Sequence, residues 1–341
     1  VPRIVEGLRA LGIEATVYAL SMRDGLAAKR LDAQGVNWLC APVNKSAHFQ
    51  AARWLKAELT RNPPDVIWTS LTQATLLGQR VGKKLNIPVV SWQHNAFLKP
   101  INRLLLRRQR GLSDFWIADS QSVLEFAVAE IGVAADDFHI LPLFVATRDA
   151  PQAKPRHSAA FRWLSVGRLH PNKNYAALID ALAAYRDRSD WTLDVAGDGA
   201  EKDALLQQIV EHGLENHITL RGHREDITQF LASGHGYVQP SRNEGLCISA
   251  HEAMTAGLPC VVTATGQMPR TLIGSPAVIP LGEIDKVAAQ MMAMVDDPGL
   301  TKRLATLSRD RVIENFAPEK FHDALEKIAK DLRGLSRPQA Q

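Results

Sequence analysis

Short apolar runs alternate with segments of helical period along the chain, as they do in parallel α/β domains. In the first half the pattern predicts strands at residues 14–20, 37–42, 65–70, 88–93, 114–120 and 138–143. A second series follows at 162–167, 191–197, 217–222, 236–241, 259–264 and 276–281. Between them, residues 145–160 ("VATRDAPQAKPRHSAA") are polar, proline-containing and aperiodic, and are predicted to be a linker. The expectation is two doubly wound α/β domains, residues 1–150 and 151–341, with a cleft between them.

The two ends carry their own expectations. "VPRIVEGLRALGIEA" reads as a helix leading into a strand, whereas a doubly wound domain normally opens with a strand and a turn. The first strand and its loop are therefore expected to be absent. Near the other end, residues 301–332 predict two helices split at Pro318, and "RGLSRPQAQ" a frayed tail.

Composition narrows the class. A chain of 341 residues with 46% hydrophobic and 22% charged residues has the make-up of an ordinary globular enzyme, and its length suits two domains. Apolar runs fall short of the roughly 20 residues that span a bilayer, and no leader pattern is present, so a cytoplasmic protein is expected. Cys40, Cys247 and Cys260 are too scattered for a disulfide framework or a zinc site and are read as small core residues.

Charge is uneven. Lys and Arg outnumber Asp and Glu by 18 to 13 in residues 1–150 and stand at 22 to 23 afterwards, for a net +4. The excess gathers in residues 98–112, "LKPINRLLLRRQRGL", where Lys99, Arg103, Arg107, Arg108 and Arg110 interleave with Ile101, Leu104, Leu105 and Leu106. The pattern suits an amphipathic helix on an anionic membrane surface, or a solvated helix face beside the core. Nucleic acid is not expected, because no binding motif accompanies the charge.

The candidate chemistry lies at predicted strand ends. In "SRNEGLCISAHEAMTAGLP" a strand leads into a helix predicted at residues 246–256, with Gly245 and Glu252 seven residues apart on one line of its wheel. Seven residues rise about 10.5 Å, comparable to the reach from a diphosphate to an attached ribose. Amides near Gly245 and Leu246 would meet phosphate oxygens, and Glu252 could accept from ribose hydroxyls. A solvated Glu252 and a Glu244 favoured by the helix dipole remain the alternative. In "SVGRLHPNKNYAALIDALA", Arg168 and Lys173 stand between a strand end and a helix start, where two cations can clamp a diphosphate or stay solvated. "GDG" at 197–199 fails as a dinucleotide fingerprint, since Lys202 stands where the third glycine belongs. Gly222 and His223 end another strand and could face a base edge.

Taken together, Gly167, Arg168, Lys173, "GDG" and the E-x7-E spacing of Glu244 and Glu252 resemble the retaining glycosyltransferases of family 4, bacterial type, which have the GT-B fold. The resemblance is strongest over residues 162–273. It implies two Rossmann-like domains facing a central cleft, the last helix crossing back to the first domain, and a nucleotide diphosphate sugar held by the second. Arg168 and Lys173 would hold the diphosphate, Gly245 and Leu246 would offer amides, Glu252 would hold the ribose, and Glu244 would contact the donor sugar. His94, in "SWQHNAF", matches a first-domain histidine beside the sugar; a polar residue capping a strand end is the plainer reading. No cofactor or metal is implied, and the acceptor would be a glycan or a lipid-linked molecule. The competing expectations are a nucleotide-sugar epimerase of the same fold and a catalytically silent binding partner.

Overall fold

The computed structural model describes residues 2–22, 25–44, 47–154 and 160–335. Each of the twelve apolar runs carries a strand, usually shorter than its run because the flanking polar and turn residues leave the ladder. They are β1 (Val17–Ala19), β2 (Trp38–Cys40), β3 (Ile67–Ser70), β4 (Val89–Gln93), β5 (Phe115–Ala118), β6 (Phe138–Ile140), β7 (Phe161–Val166), β8 (Trp191–Ala196), β9 (Ile218–Gly222), β10 (Gly236–Gln239), β11 (Cys260–Thr263) and β12 (Val278–Ile279). All their pairings are parallel.

The chain divides into two compact units. Residues up to Leu141, together with those from Glu319 onward, form one, and Pro142–Pro318 form the other. In the first, β1 and β2 pair with each other, and β3, β4, β5 and β6 make a separate sheet in sequence order. Both β4 and β5 are fully buried, as strands covered on both faces are; β5 reads as a continuous apolar run, while β4 carries Ser91 and Gln93 among its apolar residues. Ser120 Oγ caps the following helix, Gln121–Ile131, by accepting from Val123 N, and Gly132 ends it at φ 78. The basic segment forms the helix Pro100–Gln109, with Leu106 and Gln109 buried and Ile101, Leu104, Arg107 and Arg108 exposed.

The second unit is one six-stranded sheet of order β12-β11-β10-β7-β8-β9. The chain winds outward from β7 through β8 to β9, then returns to the centre at β10 and winds the other way. Loops leaving the carboxyl ends of the neighbours β7 and β10 therefore diverge, which opens a crevice at that switch point. Trp163, Trp191, Tyr175, Leu178 and Leu182 fill one face of the core, and Tyr237, Ala250, Ala253, Met254 and Met268 the other.

Several expectations are corrected in detail. The helix predicted from Leu246 begins at Ile248, because Cys247 takes the left-handed conformation (φ 64, ψ 55) and turns the chain just before it. Cys40 is partly exposed instead of a core residue; Cys247 and Cys260 are buried. In the segment read as a linker, Ala146 N donates to Phe316 O and Ala153 N to Ala256 O, so its described part packs on the second unit; residues 155–159 lie outside the described residues. Of the predicted tail, Arg333 to Leu335 continue the helix Pro318–Leu335, and the rest lies outside the described residues.

Candidate active site

The loops after β7 and β10 are tied together across the switch point. Lys173 ends the short turn Pro171–Lys173, its amide bonded to His170 O, and Asn174 at φ 59 starts the helix Tyr175–Leu182. Across from it, Glu244 follows β10. Lys173 Nζ lies 2.7 Å from Glu244 Oε1, with both side chains largely withdrawn from solvent. Asn172 Nδ2 donates to Asn243 O (2.6 Å), and Arg242 N donates to Asn172 O (2.8 Å), completing the seam.

A buried polar ladder underlies the ion pair. Tyr237 O–H donates to Gln239 Oε1 at 2.6 Å, and Gln239 Nε2 reaches both Ser241 Oγ at 2.7 Å and Glu244 Oε1 at 3.2 Å. Ser249 O–H also donates to Gln239 Oε1, at 3.2 Å. Gln239 thus uses its amide as a fixed strut from the sheet to the Glu244 carboxylate, which holds that carboxylate in one orientation.

Backbone approach completes the frame. Gly197 sits at φ 150, and a Cβ there would stand 1.9 Å from Gly167 O, so the "GDG" turn presses directly on the loop that carries Arg168 and Lys173. Gly266, at φ 55, does the same for the other loop, where a Cβ would lie 2.2 Å from Gly245 O. Only glycine suits either position.

Past Glu244 the backbone presents a row of donors. The amides of Gly245, Leu246, Cys247, Ile248 and Ser249 donate to no acceptor among the described residues. They combine the open first turn of the helix Ile248–Thr255 with the turn before it, a concavity suited to an anion. Gly245 and Leu246 belong to that turn and not to the helical wheel, so the single helical line to Glu252 does not exist. Glu252 lies one turn into the helix, half-buried; burial raises its carboxyl above the usual range, and among the described residues it has no hydrogen-bond or ion partner. His251, beside it, is a core residue. Its ring is fully buried, 4.5 Å from Phe316 and 5.7 Å from Phe144. Nδ1 donates to Cys247 O (3.0 Å), Nε2 accepts from Thr271 Oγ1 (3.0 Å), and burial lowers its pKa to about 4.

The remaining candidates fall in three places. Arg168 is exposed and has no ion partner among the described residues. Gly222, at φ 69, accepts from Gly197 N at 2.8 Å, which sets its loop against the "GDG" turn, and His223 is exposed. His94 belongs to the other unit, where its Nδ1 lies 2.9 Å from Asp119 Oδ1 and its Nε2 2.7 Å from Ser70 Oγ. The sequence reading missed Ser70, Asp119 and Gln239. Their only signal was a polar residue inside or closing an otherwise apolar strand run.

Known proteins match both halves of this arrangement. Residues 1–149 match the family described as Glycosyltransferase Family 4, and residues 160–297 match Glycosyl transferases group 1. Anabaena HepE in complex with UDP-glucose superposes with a TM-score of 0.82 over 96% of this chain and 94% of its own, at 20% identity.

The chain belongs to the GT-B glycosyltransferases.

Sucrose-phosphate synthase from Thermosynechococcus elongatus shares the fold of this glycosyltransferase with a TM-score of 0.80 over 98% of this chain and 92% of its own, at 17% identity. Among curated relatives, the N-acetylgalactosamine-N,N'-diacetylbacillosaminyl-diphospho-undecaprenol 4-alpha-N-acetylgalactosaminyltransferase of Campylobacter jejuni is 27% identical over 66% of this chain and 62% of its own. The lipopolysaccharide core biosynthesis glycosyltransferase LpsD of Rhizobium meliloti is 26% identical over 55% of this chain and 56% of its own. The N-acetyl-alpha-D-glucosaminyl L-malate synthase of Bacillus anthracis is 25% identical over 47% and 42%. The glycosyltransferase thus spans less than two thirds of the length of each of these curated relatives.

Proposed function

We propose that this glycosyltransferase moves a hexose-type sugar, with retention of anomeric configuration, from a nucleotide diphosphate sugar to a glycan or lipid-linked acceptor in cell-surface polysaccharide or glycolipid synthesis. The observation that carries the reading is the convergence of the Lys173–Glu244 pair with five unoccupied amides at the β7/β10 switch point. A diphosphate supplies the acceptors those amides lack, and Arg168 and Lys173 supply the opposing charge. Glu252, polar and without a partner among the described residues, then takes the ribose hydroxyls. Glu244 and His94 serve the sugar, and Gly222 and His223 the base edge.

In this reading the protein's own cations and amides stabilise the departing diphosphate, so no metal is called on. The acceptor hydroxyl attacks on the face from which the diphosphate leaves, which needs no separate protein nucleophile. Relatives named for lipid-linked and lipopolysaccharide acceptors support the acceptor class. No described helix is long and apolar enough to cross a membrane. The exposed Ile101, Leu104, Arg107 and Arg108 instead suit peripheral contact with an anionic membrane surface on the cytoplasmic side.

Calorimetric titration with UDP, GDP, ADP and dTDP sugars tests the donor site, followed by turnover with and without acceptor. Consumption of donor only when acceptor is present is the expected result. Donor conversion without acceptor would indicate an epimerase, and binding without turnover a silent partner; either overturns the transferase reading.

A further inference from the structure

Three residues at the carboxyl ends of adjacent strands in the first unit form a relay, two members of which the transferase reading leaves without a role. Ser70 closes β3, His94 follows β4 and Asp119 follows β5, and the strand order sets them side by side. Asp119 Oδ1 and Oδ2 lie 2.9 and 3.1 Å from His94 Nδ1, with the Asp119 side chain only 4% exposed. On the far side of the ring, Ser70 Oγ lies 2.7 Å from Nε2. Facing a carboxylate, Nδ1 carries the ring proton, which leaves Nε2 free to accept from Ser70 O–H. The Trp92 ring, 4.7 Å from the imidazole, limits its rotation.

The backbone after Ser70 is unusual. Leu71 adopts φ 74 and ψ 151, a strained region that essentially only glycine occupies. Its strain turns the chain at once from β3 into the helix Thr72–Leu85. The amides of Leu71, Thr72, Gln73 and Ala74 donate to no acceptor among the described residues. A hydroxyl held by an imidazole, an imidazole held by a buried carboxylate, and free amides beside the hydroxyl are the parts that acyl transfer needs.

We propose that Ser70 is a nucleophile for small, uncharged carboxylic esters, with His94 as its base and Asp119 as the residue that positions the base. Ser70 Oγ bonds to the acyl carbon while its proton passes to His94 Nε2. The bond from that carbon to the alcohol oxygen breaks, and the alcohol leaves with the proton from His94. Water then attacks the acyl carbon and gives a proton to His94, the acid departs, and Ser70 recovers its hydrogen. The amides that open the helix meet the negative charge on the carbonyl oxygen in both halves.

Two probes test this without any nucleotide sugar, so the result is independent of the transferase reading. Wild-type protein treated with a fluorophosphonate should carry one adduct, which peptide mass mapping should place on Ser70. Hydrolysis of 4-nitrophenyl acetate should fall about 100-fold or more in Ser70→Ala and His94→Ala. Asp119→Asn should slow hydrolysis and change its pH profile, with Asp119→Glu restoring part of the rate. An adduct on another residue, no adduct, or wild-type hydrolysis no faster than that of Ser70→Ala overturns the proposal. The mapping uses wild-type protein, so it decides the question even if a variant fails to fold.

Discussion

Lys173 Nζ and Glu244 Oε1 stand 2.7 Å apart, although 71 residues of chain separate the two side chains. The ammonium expected to meet a donor diphosphate is therefore already engaged by the carboxylate expected to meet the sugar. Donor binding has to share or replace that contact. Lys173→Ala is expected to lower transfer by about 100- to 1,000-fold, the usual cost of losing one preorganised charge-stabilising group. Glu244→Gln should bind nucleoside diphosphate at least as tightly as wild type while transferring poorly. Titration and turnover on the two variants check both outcomes.

Glu252 carries a cost in the folded protein. Burial holds its carboxyl above the ordinary range, so the folded state binds that proton more tightly than the unfolded chain does. The stabilising contribution is full at low pH and is lost as pH rises through the folded value. Glu252→Gln should therefore raise Tm at pH 7 and leave it near wild type at pH 4, while weakening nucleotide binding. Thermal melts at the two pH values read the first effect and calorimetry the second.

His251 works in the opposite direction. Its pKa falls from 6.5 in an exposed state to about 4 in the core, so the unfolded chain takes up a proton that the folded protein refuses. Its contribution is full above pH 6.5 and is lost as pH falls toward 4, a change on the order of 3 kcal/mol. His251→Leu should flatten the acid limb of stability against pH, measured by urea unfolding between pH 7 and 4. The loss of the Cys247 and Thr271 contacts should appear as a constant offset.

Gly197→Ala places a methyl group against the Gly167 carbonyl at a backbone angle that alanine avoids. A loss of about 2–4 kcal/mol in stability is expected. Donor affinity should fall with it, because the displaced loop carries Arg168 and Lys173. Denaturant unfolding and calorimetry on the same preparation test the link.

On the helix Pro100–Gln109, the double change Arg107→Ala and Arg108→Ala should weaken binding to anionic vesicles by about 30-fold, at about 1 kcal/mol per charge. Neutral vesicles and high salt should erase the difference. Cosedimentation at two salt concentrations distinguishes this from a merely solvated face.

What the sequence made legible follows from what each feature depends on. The strands were readable because the buried runs at β4, β5, β8 and β11 owe their character to local composition, with turn residues marking the ends. The site was readable where chemistry and strand end coincide, as at Lys173 and Glu244. The turn at Cys247 was not, because nothing in a cysteine announces a left-handed backbone; tertiary packing imposes it. Gln239 was hidden inside an apolar strand, its role visible only once Tyr237, Ser249 and Glu244 surround it. Ser70 and Asp119 escaped notice because their meeting with His94 depends on strand order, which periodicity does not encode.

Gly266 has a practical consequence for protein engineering. Because it abuts the Gly245 carbonyl without clearance, the peptide from Ser241 to Ser249 and the peptide around Gly266 form one transplantable module despite their separation along the chain. A chimera that exchanges only the first for a relative's version inherits a mismatched seat, whereas exchanging both moves the intact carboxylate, its amide row and its footing into a new scaffold.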